Sequence, residues 1–272
     1  MNLPNLKSLE QAALADSNLQ AEFLEKGYVI LPEKIDEDLL DSLTQFCVEN
    51  IKLYASSFYI STIELQDINH RKAANKVFWD ATKDIAEKYF LDYEQFYGGY
   101  GVKFSKETTL LNAHQDTTMV SYNANRTGLT LWSPLMDVDE SNGCVQVIPN
   151  SHRYNRLPRA TGCDFAYKDY SEEIIEQMTP VHLERGEVLV MDQSLIHYSG
   201  ANKSDYVRVA AMGMFKPKED KLIYYNPVNG CKELEVFEVE NDFYTYHMLT
   251  HRPEGLSPVK TINNLQKHHI WF

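Results

Sequence analysis

The sequence predicts a mainly β domain, an antiparallel sandwich or barrel, with helices packed on its flank. Three observations carry this. From Gly98 onward, short apolar runs of strand length alternate with turn residues, whereas the first ninety or so residues show helical spacing. Many short strands at close intervals favour antiparallel pairing over βαβ units. With 272 residues, 43% of them apolar and 12% aromatic, the chain can bury the core such a domain needs.

Taken in order, Leu9 to Lys26 reads as an amphipathic helix, followed by the short apolar strand GYVILP, Gly27 to Pro32, closed by proline. Asp36 is placed to cap a helix over Leu39 to Val48, with Leu40, Leu43 and Cys47 on its inner stripe. A further helix is expected over Ala73 to Tyr89. The strand-like runs are then GGYGVKFS, LLNAHQD, GLTLWSPLMDV, GCVQVIP, GEVLVMD and YVRVAAMGMF, divided by turns such as Asn142-Gly143, Arg185-Gly186 and Ser199-Gly200. Two stretches break the rhythm, Arg153 to Thr179 and Lys216 to His251. Irregular segments inside a compact β domain tend to be lids or binding loops. The expected organisation is a single domain over 1–272, with a helical flank at 1–97, a β core at 98–215 and a C-terminal lid or tail at 216–272.

A net charge of -13 excludes the basic stripe that nucleic acid or an anionic membrane would require. The surplus carboxylates serve solubility, with a cationic substrate as the sharper alternative. No apolar run reaches membrane-spanning length, and the first residues lack a basic-then-apolar signal pattern. Cys47, Cys144, Cys163 and Cys231 are widely spaced, with no Cys-x-x-Cys pair. They read as small core residues of a reduced, cytoplasmic protein.

The chemistry concentrates in Asn112-Ala113-His114-Gln115-Asp116. On a strand, alternate side chains share a face, so His114 and Asp116 would project together and Gln115 away. One imidazole and one carboxylate are half of a two-histidine, one-carboxylate site for non-haem Fe(II). His197, after the apolar run VLVMD and before a Ser-Gly turn, is the best third ligand. Arg208 follows on a run whose two faces, Ala210, Met212 and Met214 on one and Val207, Val209 and Ala211 on the other, are both apolar. A buried guanidinium needs an anion, either a dicarboxylate co-substrate or a protein carboxylate such as Asp192. His152 reads as a loop-fixing residue, and His70, His182, His247, His251, His268 and His269 lack comparable spacing to a carboxylate. A zinc hydrolase on the same ligands would leave Arg208 without a role.

These blocks resemble the phytanoyl-CoA dioxygenase family of Fe(II)- and 2-oxoglutarate-dependent oxygenases. The likeness runs from Gly98 to Phe215 and includes AHQD, LTLWSPLMDVDESNGCVQVIPNSH and GEVLVMDQSLIHYSGANKSDYVRVA. It implies a double-stranded β-helix, the cupin-like jelly-roll variant, with His114, Asp116 and His197 holding iron. It implies that Arg208 binds the far carboxylate of 2-oxoglutarate, that Trp132 walls the same pocket, and that Gln115 and Ser199 lie near the co-substrate. Related halogenases lack the carboxylate, so Asp116 favours hydroxylation, with O2 consumed and succinate and CO2 released. The expected substrate is a small metabolite, an amino acid or natural product, contacted by Arg153 to Thr179 or by Tyr224, Tyr225, Phe243, Tyr244 and Tyr246, unless those aromatics are packing residues. Alternatives are a jelly-roll module that binds without turnover, or a dioxygenase of acyl-CoA or lipid.

Overall fold

The computed structural model describes residues 12–54, 59–106, 111–121, 126–153, 158–165 and 167–264. Along the chain run α1 (Ser17–Lys26), β1 (Tyr28–Ile30), α2 (Glu37–Asn50), β2 (Tyr59–Ser61), α3 (Ile68–Tyr89), β3 (Tyr93–Lys103), β4 (Leu111–His114), β5 (Leu129–Pro134) and β6 (Val145–Val147). They are followed by α4 (Ser171–Glu176), β7 (Thr179–Val181), β8 (Leu189–Asp192), β9 (His197–Ser199), β10 (Arg208–Pro217), β11 (Leu222–Val228), β12 (Glu233–Val239), α5 (Phe243–Tyr246) and β13 (Lys260–Asn263).

The helices start where short polar side chains can take up free backbone N–H groups. Asp16 accepts from the amides of Asn18 and Leu19, which sets the start of α1 at Ser17. That corrects the expected start at Leu9, a residue that lies outside the described ones. Asp36 accepts from the amide of Asp38 and begins α2 as expected, burying Leu40, Leu43 and Cys47. Asp67 caps α3 at His70, so this helix opens at Ile68, before the expected Ala73.

Two antiparallel sheets form the jelly roll. One has strand order β1-β8-β5-β10-β3-β2 and the other β4-β9-β6-β7. Alternation along the strands of the larger sheet divides its side chains between two layers. Leu129, Leu131, Val190, Val209 and Ala211 join Phe23, Leu40, Leu43 and Phe78 in a core under the helices. Their neighbours Trp132, Leu189, Met191 and Ala210 pack with Val145, Val147 and Val181 of the smaller sheet. The helices thus cover the outer face of the larger sheet, and its inner face closes the barrel that carries the site.

Helix α3 lies close on this sheet because two glycines make room. Gly98 and Gly213 are cross-strand partners of β3 and β10. A Cβ on either would overlap the Phe78 ring.

Two expectations are corrected. The C-terminal segment expected as an irregular lid holds a three-stranded sheet, β11-β12-β13. In addition, Cys163 and Cys231 are joined in a disulfide, with Cα atoms 5.8 Å apart across 68 residues of sequence. Only Cys47 and Cys144 are free and buried as expected. Among the described residues, no helix is long and apolar enough to cross a membrane.

Candidate metal centre and anion pocket

The two imidazoles meet because their strands pair in register. His114 and His197 are cross-strand partners of β4 and β9, and their ring centroids lie 4.3 Å apart. Asp116 arrives differently from the expectation of one shared strand face, since β4 ends at His114. Beyond that point the chain is pinned to the loop that leads into β9. The Asp116 amide donates to the Gln193 carbonyl at 3.1 Å, and Gln115 Nε2 donates to the Ser194 carbonyl at 2.6 Å. One ligand atom each from His114, Asp116 and His197 then falls within 4.8 Å of the others.

Neighbouring hydrogen bonds aim these atoms. Thr130 Oγ1 donates to Asp116 Oδ2 at 2.7 Å, leaving Oδ1 facing His197 Nε2 at 3.7 Å. His197 Nδ1 lies 3.0 Å from the Leu195 carbonyl, which can only accept, so the ring proton sits on Nδ1 and Nε2 presents a lone pair. Nε2 and Oδ1 are then two acceptors facing each other, and a cation between them satisfies both. Two imidazoles and a carboxylate, with the histidine tautomer fixed from behind, fit a divalent first-row metal. A second cluster, Glu140, Cys144 and His182, also brings ligand atoms within 4.8 Å. Burial pushes the Cys144 thiol up to about 12, and His182 already pairs with Glu140.

Arg208 opens β10 and is 2% exposed. Its Nη2 donates to Ser199 Oγ at 3.3 Å and its Nη1 to the Gly101 carbonyl at 3.4 Å. The guanidinium stands 5.8 Å from the centre of the Trp132 ring. Asp192, the alternative partner, instead accepts from Thr127 Oγ1 and the Ser194 amide, each at 2.7 Å. Directly across the ladder from Arg208 is Lys103, which the sequence reading passes over. Its Nζ donates to the Ser199 carbonyl at 2.6 Å and to the Gly200 carbonyl. Burial, with the Arg208 charge beside it, pulls Lys103 down to about 6. The one available signal was a lysine closing an otherwise uncharged strand run, GGYGVK. Gln115, expected beside the co-substrate, turns its amide to Ser194.

A cavity of about 480 Å³ opens over His114 and Asp116 of the triad, lined also by Met212, Met214, Arg159 and Phe165 among others. Met212 and Met214 lie on the Arg208 side of β10, as the alternation requires. Residues 158–165 and 167–179 contribute to the wall, with Phe165, Tyr167 and Ile174 packed on Ala113, Ile196 and Tyr198. Four of the five tail aromatics are packing residues. Tyr224 and Tyr244 are buried in one core cluster with Phe243 against it, Tyr225 is buried in another, and Tyr246 is exposed. Within the 153–179 stretch, no spacing in the sequence marks Arg159 as a cavity residue.

Residues 100–210 match the family model described as phytanoyl-CoA dioxygenase (PhyH). This segment is similar to the phytanoyl-CoA dioxygenase family. It runs from within β3 to the start of β10 and contains the triad, Lys103, Trp132 and Arg208. Among relatives of the PhyH segment, the chain is 26% identical over 159 residues to the peroxisomal phytanoyl-CoA dioxygenase of Bos taurus, covering 53% of this chain and 45% of that one. It is 30% identical over 132 residues to phytanoyl-CoA dioxygenase domain-containing protein 1 of Danio rerio, covering 45% and 44%. The chain thus spans about half the length of the curated relatives it matches. Similar solved folds include EctD from S. alaskensis with 2-oxoglutarate and 5-hydroxyectoine, at TM-score 0.54 and 19% identity, covering 76% of this chain and 78% of that one. The non-heme α-ketoglutarate-dependent carbocyclase SnoK has TM-score 0.55 and 19% identity, covering 76% and 86%.

Proposed function

We propose that the protein is an Fe(II)- and 2-oxoglutarate-dependent dioxygenase that hydroxylates a C–H bond of a small metabolite. The observation that carries this reading is the triad itself, two imidazoles and a carboxylate within 4.8 Å, aimed by Thr130 and Leu195 beside a buried arginine. His114, Asp116 Oδ1 and His197 Nε2 would hold the iron. When bound with 2-oxoglutarate and O2, the iron supplies the oxidant for C–H attack, with release of succinate and CO2.

The rest belongs to the protein. Arg208 orients the far carboxylate of 2-oxoglutarate from one side, with Lys103 adding positive charge and Ser199 keeping the guanidinium in line. Trp132 closes the same pocket and keeps it dry, which strengthens both charges on the carboxylate. Met212, Met214 and Phe165 give the cavity an apolar lining in which a C–H bond can approach the metal position without water. About 480 Å³ is in the range of small-molecule sites. The presence of Asp116 favours hydroxylation over halogenation, and the EctD and SnoK folds support an oxygenase of small molecules.

The test is anaerobic titration of the purified protein with Fe(II) and 2-oxoglutarate, followed by O2. The expected results are a charge-transfer absorption band and then succinate release. Both should be lost in His114→Ala and Asp116→Ala, and the apparent affinity for 2-oxoglutarate should fall in Arg208→Ala. A full band in Asp116→Ala, or unchanged affinity in Arg208→Ala, would sink the reading. Ligand binding without succinate would support a non-catalytic module instead.

A further inference from the structure

We infer that Arg159 recognises a carboxylate on the primary substrate, so that the enzyme oxidises small carboxylic acids rather than neutral or cationic molecules. The inference rests on the reading above, that iron and 2-oxoglutarate occupy the triad and the Arg208 pocket.

Arg159 enters the cavity from the wall segment, and its backbone is fixed on both sides. Its amide donates to Thr118 Oγ1 at 2.9 Å, and its carbonyl accepts from the Thr118 amide at 2.9 Å. The guanidinium is steadied at one corner, where Nη1 donates to the Gln115 carbonyl at 2.7 Å. That carbonyl belongs to the residue between two metal ligands, so the arginine stands next to the metal position. Among the described residues Nε has no hydrogen-bond acceptor, and no carboxylate lies within ion-pair distance of the guanidinium. Burial disfavours its charge, and Asp116 gives the opposing attraction.

Charge accounting then separates the possible partners. A dication with Asp116 carries one net positive charge. A dicarboxylate held by Arg208 brings the set to neutrality, and a protonated Lys103 adds further positive charge. Asp116 is committed to the metal, so Arg159 is left with one uncompensated charge in a cavity where Met119, Met212, Met214 and Phe165 alternate with the hydroxyls of Thr117 and Thr161. Arg159 is half-buried with its Nε out of solvent, and a guanidinium so placed favours an anion in the cavity. The other carboxylates of the cavity wall are placed elsewhere. Asp164 pairs with Lys168 at 3.1 Å, and Glu64 stands at the exposed rim. The substrate supplies the missing charge, and a planar carboxylate matches the planar fork of arginine. The anionic surface of the protein gave the opposite hint, a cationic substrate. A surface average says nothing about one arginine beside the metal.

The experiment uses the holoprotein with Fe(II) and 2-oxoglutarate under anaerobic conditions. Its probe is a set of L-amino acids, hydroxy acids and aromatic acids, each paired with its primary amide, read by saturation-transfer NMR and calorimetry. At least one free acid should bind, and its amide should bind about 10- to 100-fold more weakly, as loss of a charged hydrogen-bonded contact implies. Arg159→Gln should erase that difference while leaving the charge-transfer band of 2-oxoglutarate in place. Arg159→Lys, which keeps the charge, should restore part of the preference and serves where the glutamine variant does not fold. The inference is overturned if no acid binds, if acids and amides bind alike, or if Arg159→Gln keeps the preference. It is also overturned if that variant weakens 2-oxoglutarate binding while the preference stays. Failure of the underlying reading is a separate result, the absence of the band in the unmodified protein.

Discussion

Thr130 holds one oxygen of Asp116 and thereby decides which oxygen faces His197. Thr130→Val keeps the shape of the side chain and removes only the hydroxyl, so the carboxylate can rotate. We expect metal affinity to fall by roughly 10-fold, the lower end for loss of a group that orients a ligand, measured by competition with a chelator. An unchanged affinity would show that Oδ1 is aimed by packing alone. Lys103 makes a pH prediction at the same scale. Without an anion its pKa is about 6, and a carboxylate bound beside it favours the ammonium and raises that value. Binding therefore takes up a proton at any pH between the free and the bound values. The affinity for 2-oxoglutarate should be highest near pH 6 and decline as pH rises above it. Lys103→Met should flatten that slope, and calorimetry in buffers of different ionisation enthalpy would count the proton directly.

Elements differ in how openly the sequence declares them. Strand β10 is legible because both of its faces are buried, so an arginine set among alanines, valines and methionines stands out at once. Helix α2 is legible because Asp36 caps it and Leu40, Leu43 and Cys47 fall on one stripe. The place of Asp116 is hidden, because the end of β4 is fixed by carbonyls of Gln193 and Ser194 some eighty residues away in sequence. The β11–β12 hairpin is declared only faintly. Its alternation and its Asn229-Gly230 turn, both at positive φ, are ordinary hairpin signals masked by the tyrosine and acidic content around them. Contact between α3 and the sheet gives the prediction at this scale. Gly213→Ala should destabilise the fold by about 1–3 kcal/mol, the usual penalty for overpacking, read from denaturant midpoints. Phe78→Leu in the same chain should recover part of that loss, and no recovery would place the strain elsewhere.

At the scale of the whole molecule, one covalent link escapes any local pattern, because Cys163 and Cys231 lie 68 residues apart. The loop they close contains both His197 and Arg208. Closing a loop of that length restricts the unfolded chain by about 4 kcal/mol in the entropic account. Reduction should lower the melting temperature by roughly 10 °C for a protein of this size, and equally in Cys47→Ser and Cys144→Ser, whereas Cys163→Ser should not respond to reductant. The same link has a consequence for which molecules are admitted. One of its ends is in the cavity wall and the other in the turn between β11 and β12, so the rim cannot swing away without dragging a whole sheet. Under the proposed recognition by Arg159, entry would be governed by the fixed outline of the opening, and bulky acids would be turned away by shape before they reach the guanidinium. Breaking the link should widen the range of accepted acids, with the largest gaining most and the smallest hardly changing.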